Sequence, residues 1–228
     1  MGKRQESRQR IEAQILDLAR RQLITDGAAG LSVRAIARDL GMASSAVYRY
    51  VASRDQLLTL LLVATYSELA ECVEQARAQI DGDWRADVMA IAHAMRTWAL
   101  DQPAGWALLY GSPVPGYHAP AELTVGPGTR VVGVLFDAVA KGLASGDIQG
   151  GESAVGQPLS GDLQQIRAEF GFPGDDAVVL RCTTLWAVVV GAISLEVFGQ
   201  YGADTFTDTQ ALFDHQVGLV VDLLDARA

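Results

Sequence analysis

The sequence has few of the residues and segments that define several common protein classes. Its only two cysteines, Cys72 and Cys182, lie 110 residues apart without CxxC spacing, which excludes a disulfide framework and a zinc finger. The basic start has no apolar stretch behind it, so it does not predict a signal peptide. The longest uncharged helical run, between Arg181 and Glu196, has 14 residues, whereas a membrane span needs roughly 20. We therefore expect a soluble cytoplasmic protein that does not enter a membrane.

Enzyme motifs and metal-ligand patterns are also missing. The sequence has no GxSxG elbow, P-loop or HExxH, and the glycines on either side of Pro127 do not continue as GxGxxG. The three histidines, His93, His118 and His215, are not at metal-ligand spacing. The sequence predicts no catalytic residue, no cofactor and no metal.

Charge is distributed unevenly along the chain, although the net charge is −9. Residues 1–55 carry ten basic and six acidic side chains, a net of +4, whereas residues 56–228 have a net charge of −13. A basic head on an acidic body indicates a small anion-binding module joined to a part with another ligand. Random variation along the chain is the alternative explanation.

Apolar residues recur at helical spacing through nearly the whole chain, so the predicted fold class is all-α. We predict helices over residues 8–25, 33–40, 44–50, 54–80, 84–101, 103–110, 129–144, 162–170, 175–200 and 208–226. Ser32, Ser53 and Asp83 are the predicted caps of three of these helices. Residues 111–128 and 145–161 are predicted loops because proline and glycine are concentrated there.

Residues 33–52, VRAIARDLGMASSAVYRYVA, match the helix-turn-helix pattern. Gly41 stands at the turn, and five apolar residues occupy the positions that pack the two helices together. In this motif the second helix enters the DNA major groove, and its first residues meet base edges. The residues predicted to read DNA are Ala43, Ser44, Ser45, Tyr48 and Arg49. An unrelated helical hairpin is the structural alternative.

Two details of this DNA-binding prediction stay open at the level of sequence. Arg49 could contact a guanine or hold a phosphate. The N-terminal arm contains Lys3, Arg4, Arg8 and Arg10. It is predicted to attract phosphates without regard to base sequence, and the alternative is that it is simply a disordered start of the chain.

The stretch SVRAIARDLGMASSAVYRYVASRDQLL resembles the N-terminal domain of the tetracycline-repressor-type (TetR/AcrR) regulators. The resemblance implies phosphate contacts from the start of the first motif helix, here Ser32 and Arg34, and from Tyr48, Tyr50 and Arg54. The usual His-Phe pair is Tyr50-Val51 here, and the usual lysine is Arg54.

In the C-terminal part, the segment PAGWALLYGSPVPGY resembles actinobacterial members of that family. The segment LWAVVVGAISLEVFG is similar to a subgroup with a W-x-x-x-H-G signature, with Val190 in place of the histidine. The resemblance implies an all-helical homodimer whose larger domain binds a small effector. It divides the chain into a DNA-binding domain, residues 1–53, and an effector-binding and dimerisation domain, residues 54–228.

Aromatic residues of the larger domain are candidates for the walls of an effector site, because such sites are mostly apolar. The predicted ligand-binding residues are His93, Trp98, Trp106, Tyr110, Phe136 and Trp186, with Phe198 as a further wall and Arg96 and Glu196 as further polar contacts. For each residue, an ordinary place in the core or a paired side chain is the competing explanation.

The last two helices are predicted to form the homodimer, because residues 175–200 are apolar around much of their circumference. The final helix has two apolar stripes, of which one can face its own core and the other a symmetric partner. The predicted interface residues are Val189, Ile193, Val197, Phe213, Val217, Val220 and Leu224.

These observations together predict a transcription regulator that binds double-stranded operator DNA and is released by a small, mainly apolar ligand. The alternative is a helical protein that binds a small molecule or a partner and whose head does not bind DNA.

Overall fold

The computed structural model describes residues 3–151 and 155–225, which fold into ten α-helices; the one β-type contact there is an isolated bridge between Ile148 and Asp225. The helices are α1 (Lys3–Asp26), α2 (Val33–Asp39), α3 (Ser44–Val47), α4 (Arg54–Ala78), α5 (Trp84–Asp101), α6 (Pro103–Tyr110), α7 (Ala121–Ser145), α8 (Leu159–Phe170), α9 (Asp176–Val197) and α10 (Thr209–Leu224). A short 3-10 turn, Ala28–Gly30, precedes α2. The predicted all-α fold class is confirmed.

Side-chain caps fix the beginnings of several helices. The Ser32 hydroxyl accepts a hydrogen bond from the Ala35 amide, and the Asp83 carboxylate accepts one from the Ala86 amide. At the start of α4, the Ser53 hydroxyl accepts the Gln56 amide. These contacts satisfy amide groups that have no partner inside the helix. All three predicted caps are confirmed.

Three helices, α1, α7 and α8, begin earlier than the sequence predicts, and the loop predictions for residues 121–128 and 159–161 are wrong. The Pro120 carbonyl accepts the amides of Leu123 and Thr124, so α7 begins directly after this proline and contains Pro127. The helical packing of the residues that follow overrides the local loop signal of glycine and proline. The alternative of a disordered start is also corrected, since α1 begins at Lys3 and the Arg8–Glu12 ion pair, 2.7 Å long, supports its first turns. The attraction of phosphates by this basic arm remains a prediction.

The described residues form two compact units. The first takes in the chain up to Glu68 together with Gln102–Gly128, and the second takes in Leu69–Asp101 and the chain from Thr129 onwards. Packing thus divides the chain differently from the motif-based division at residue 53, which remains a prediction about function.

The core of the first unit surrounds the helix-turn-helix motif. Its buried members come from α1 to α4, and include Ile15, Ala19, Leu23, Leu31, Val33, Ile36, Ala37, Val47, Val51, Leu57, Leu58 and Leu61. Ala104 and Leu108 of α6, and Val114 and Tyr117 of the following loop, pack against this core. Residues far along the chain therefore complete the unit that carries the motif.

The second unit buries the apolar faces of α5, α7, α9 and α10. Its fully buried side chains include Trp84, Ile91, Met95, Val178, Leu185, Ile193, Phe213 and Val217. Phe136 on α7 contacts Phe170 and Phe172, with ring centroids 5.1 and 4.6 Å apart.

Three of the described helices, α4, α7 and α9, are long and apolar enough by length and composition to cross a membrane. The sequence-based prediction used a stricter criterion, the length of uncharged runs. In this fold, between a third and a half of the most apolar 18-residue stretch of each of these helices is buried inside the protein.

Candidate nucleic-acid interface and effector site

The geometry of α2 and α3 is that of a helix-turn-helix. Gly41 lies between them with φ of 64°, a left-handed conformation that glycine adopts without strain. The Met42 amide bonds to the Ala37 carbonyl at 2.9 Å, which closes the turn. Ile36, Ala37 and Val47 are buried at the contact between the two helices. The motif is thus held by the residues that its sequence pattern singled out.

The second helix of the motif is shorter than predicted but continues as hydrogen-bonded turns. Regular helix ends at Val47, and the amides of Tyr48, Tyr50 and Val51 then bond to carbonyls three or four residues back. Hydrogen-bonded turns thus cover residues 48–50 directly after the regular helix. The predicted helix over residues 44–50 is therefore present, but its regular part ends three residues earlier, at Val47.

The outward face of α3 presents the side chains that the motif assigns to DNA. Ala43, Ser44, Ser45 and Arg49 are exposed, and 40% of Tyr48 is exposed. Val47 is buried in the core on the opposite face, so these side chains point to solvent. This arrangement can place short hydroxyl groups, one phenol and one guanidinium against a groove.

Ser32 and Arg34 lie at the start of α2 and differ in exposure. Ser32 is half-buried, its hydroxyl caps α2, and its amide bonds to the Gln22 carboxamide at 2.9 Å. Since its hydroxyl proton is not used in the cap, it can still donate to an incoming oxygen. Arg34 is exposed and forms no ion pair with any residue that the structure describes.

Tyr50 and Arg54 are more strongly engaged within the protein. Arg54 is half-buried and donates from Nη2 to the carbonyls of Ala28 and Ala29, at 2.9 and 3.1 Å. The Arg8 guanidinium lies 5.6 Å from the centre of the half-buried Tyr50 ring. Arg54 therefore fastens the start of α4 to the turn before the motif, in addition to the phosphate contact that the family resemblance implies.

The six predicted effector residues do not fall in one unit. Trp106 and Tyr110 belong to the first, with ring centroids 4.4 Å apart, and the pKa of Tyr110 is raised by burial and by the nearby Tyr66. The other four belong to the second unit, where Trp98 and Phe136 are buried and His93 and Trp186 are half-buried.

Arg96 and Glu196, the further polar candidates, form a buried ion pair. The guanidinium donates to both carboxylate oxygens at 2.7 and 2.6 Å and also to Gln210 and Thr209. Burial raises the pKa of Glu196, but hydrogen bonds from Arg96 and Thr209 and the charge of Arg96 together lower it below its usual value. These two side chains are paired with each other and tie α5 to α9 and α10.

His93 has a similar internal partner. Its Nε2 lies 2.7 Å from Oδ1 of Asp214 on α10, which also accepts a hydrogen bond from Gln210. No signal in the sequence indicates these partners, because they lie 100 residues or more from Arg96 and His93.

A polar cleft of about 310 Å³ opens in the second unit, and none of the six predicted effector residues lines it. The buried carboxylate of Asp87 forms one wall, 3.4 Å from both Arg77 and Lys141. The cations of this cleft are thus already paired. Among the described residues, no group of three or more histidine, cysteine or acidic side chains could hold a metal ion.

The predicted interface on α9 and α10 is corrected by burial. Six of its seven residues, Val189, Ile193, Phe213, Val217, Val220 and Leu224, are buried inside their own subunit, and Val197 is half-buried. A side chain already covered by its own core offers no surface to a partner. The free stripe of α10 is the other one, where 68% of Leu219 and 63% of Leu223 are exposed.

Two family models match the sequence. Residues 15–61 match the bacterial regulatory proteins of the tetR family, and residues 88–220 match the tetracyclin repressor-like C-terminal domain. An HTH-type transcriptional regulator of Mycobacterium tuberculosis is 62% identical over 225 residues, which are 98% of this chain and 96% of that protein. A regulator of Mycobacterium bovis matches to the same extent.

Solved structures share the fold over nearly the whole chain. The protein SCO4313 superposes with a TM-score of 0.79 at 31% identity, covering 97% of this chain and 100% of that one. FadR of Bacillus subtilis, solved in complex with stearoyl-CoA, has a TM-score of 0.63 at 14% identity, covering 92% and 97%.

The displayed face of α3 and these matches define a DNA-binding transcriptional regulator of the helix-turn-helix type. The chain belongs to the tetracycline-repressor (TetR) family. This is a family of regulators whose members bind operator DNA, dimerise and bind small molecules; it is not an enzyme family.

Proposed function

We propose that the protein is a repressor that binds its operator as a homodimer and leaves it when a small, mainly apolar molecule binds the larger domain. The observation that carries the DNA contact is the exposed face of α3 above the buried Val47. Residues 1–53 read DNA, and residues 54–228 bind the effector and the second copy. The protein acts in the cytoplasm, where bacterial DNA lies, and has no catalytic step.

The charge of the head supports this contact with DNA. Arg10, Arg34 and Arg49 are exposed and form no ion pair with a residue of the described ranges. Unpaired cations release counterions from DNA when they meet phosphates, so affinity depends steeply on salt.

Selection from a pool of random duplexes tests the proposal and needs no known operator sequence. We expect the wild-type protein to enrich a two-fold symmetric duplex and to lose affinity steeply between low and physiological salt. Failure to enrich any sequence, or a dissociation constant that is insensitive to salt, would instead favour the alternative of a helical ligand-binding protein.

The homodimer is proposed to form through the exposed stripes of α9 and α10. Leu219 and Leu223 of α10 and Leu195 of α9 are exposed large apolar side chains. At Gly191 and Gly218, one on each helix, an added Cβ would have no atom within 4 Å apart from its chain neighbours and the backbone of its own helix. Such apolar stripes with small residues let two helix pairs approach closely, and paired heads then reach successive major grooves about 34–36 Å apart.

The effector is proposed to be mainly apolar because the larger domain supplies most of the aromatic side chains. FadR, which has the same fold, was solved with stearoyl-CoA, so long-chain acyl-CoA is a reasonable first probe. A coupling of roughly 1–3 kcal/mol between the two sites would change operator affinity by about 5- to 150-fold.

Variants of Trp98 and Trp186 test the effector site. Trp186 is half-buried and Trp98 is buried, so Trp186→Ala is the milder change. We expect it to retain folding and duplex binding while it loses the response to the effector. The starting point is a screen of small molecules, including stearoyl-CoA, against the selected duplex. The proposal of ligand release is abandoned if none of them alters binding.

A further inference from the structure

Thr59 is a buried polar side chain on α4 whose hydroxyl makes two hydrogen bonds. It donates to the Asp55 carbonyl at 2.9 Å, and it lies 2.9 Å from the hydroxyl of Tyr117. A threonine hydroxyl has one proton, and a carbonyl can only accept, so Tyr117 is the donor in the second bond. Thr59 is 4% exposed, and an unsatisfied polar group there would be costly.

Tyr117 lies in the irregular segment between α6 and α7, residues 111–120. This segment contains Pro113, Pro115 and Pro120, and Gly116 has φ of 76°. Val114 and Tyr117 pack against the core that supports the helix-turn-helix, and the Tyr117 amide bonds to the Val114 carbonyl. The Tyr117–Thr59 bond is therefore the polar part of a contact that is otherwise apolar.

The part of α4 that receives this bond belongs to the buried cluster of α1 to α4 that surrounds the helix-turn-helix, the DNA-reading core. Leu57, Leu58 and Leu61 flank Thr59 in sequence and are fully buried in that core. One turn earlier, Arg54 holds the carbonyls of Ala28 and Ala29, just before the motif. A displacement of α4 at Thr59 is thus passed directly to the residues that position α2 and α3.

The segment belongs by sequence to the effector-binding region, although it packs in the first unit. The C-terminal family match covers residues 88–220, which includes residues 111–120 and both flanking helices. By packing, residues 102–128 belong with the helix-turn-helix. Segment 111–120 is accordingly a piece of the effector region that directly contacts the DNA-reading core.

We propose that Tyr117 is a positioning residue for DNA recognition. Its hydrogen bond to Thr59 holds segment 111–120 against the DNA-reading core, and this conformation of the protein binds operator. Release of this bond lowers operator affinity. The proposal rests on the proposed function, because it assigns a regulatory contact to the same DNA-binding site.

Two conservative variants test the bond. Tyr117→Phe and Thr59→Val each remove one hydroxyl and keep the apolar shape. We expect each to weaken binding of the duplex selected by the wild-type protein by about two- to tenfold, the effect of one net hydrogen bond. The double variant should bind no more weakly than the weaker single variant, because both changes remove the same bond.

Tyr201→Phe is the matched control, since it removes a tyrosine hydroxyl that donates to Gln216 in the second unit. Affinity is measured well below the melting temperature of every variant, so a loss of stability alone leaves it unchanged. The positioning role of Tyr117 is overturned if both single variants bind the duplex with wild-type affinity, or if Tyr201→Phe loses as much affinity as they do. Either result leaves the proposed DNA-binding function intact. A wild-type protein that selects no duplex removes the proposed function and this proposal with it.

Discussion

The two units differ in whether any of their cations are left without an internal partner. In the second unit, each lysine or arginine that the structure describes has an internal partner, either a carboxylate or, for Arg181, backbone carbonyls. In the first unit, Arg10, Arg34 and Arg49 are exposed without a carboxylate partner among the described residues. In the second unit arginine therefore serves internal contacts only, whereas in the first unit three arginines remain available to an external anion and others, such as Arg54, are paired internally. Net charge alone would not reveal this difference.

The largest effect should come from acidic side chains placed in the second unit. Val220→Asp with Leu224→Asp buries two charges in a core where the native residues are 7% and 0% exposed. We expect a loss of more than about 4 kcal/mol of unfolding free energy, measured by chemical denaturation.

The matched control uses the neighbouring stripe of the same helix. Leu219→Asp with Leu223→Asp should retain the helical circular dichroism spectrum and sediment as a monomer. If the two double variants show the same stability and the same sedimentation, then α10 does not have one stripe that faces its own core and another that faces a partner.

A smaller effect is expected from the buried ion pair. Arg96→Met leaves Glu196 without its cation, which costs about 3–5 kcal/mol of unfolding free energy, because side chains only 9% and 13% exposed are little screened by solvent. Replacing both partners, with Arg96→Met and Glu196→Leu, should recover most of that loss, since no charge is then buried alone. Equal destabilisation by the single and double variants would refute this account.

The same pair predicts how stability depends on pH. The pKa of Glu196 is lowered in the fold, so its charged form contributes stability above the unfolded value of about 4.3. This contribution is lost as the pH falls towards the folded pKa. Glu196→Gln should therefore flatten the acid limb of a stability curve measured between neutral pH and acid.

Local features of the fold were predictable from sequence, and long-range pairings were not. Gly41 and the cap at Ser32 depend on a few neighbouring residues, so their sequence signals were sufficient. The Arg96–Glu196 and Thr59–Tyr117 contacts join residues 100 and 58 positions apart, and each residue type alone has many possible partners. The two stripes of α10 have the same helical spacing, so only packing determines which one is buried.

The effect of Arg49→Ala distinguishes the two roles that the sequence left open for Arg49, a contact with a guanine and a contact with a phosphate. Arg49→Ala should weaken duplex binding by about five- to a hundredfold in either case. If the guanidinium holds a phosphate, the loss is uniform across sequences and the slope of affinity against salt falls by about one. A relaxed preference at one base pair identifies a guanine contact. Arg21→Ala, on the exposed face of α1, is the control that should leave both quantities unchanged.

The smallest changes in affinity are expected at Ser44 and Ser45, the exposed hydroxyls at the start of α3. Neither carries charge, so Ser44→Ala or Ser45→Ala should leave the salt dependence as in the wild type. A serine hydroxyl both donates and accepts, so its loss removes discrimination at the base edge it meets. We expect the selected duplex to change at one position in each half-site, with the total affinity for the best sequence nearly preserved. Repeating the selection with each variant measures this directly, and an unchanged preference in both would show that the reading face begins beyond these serines.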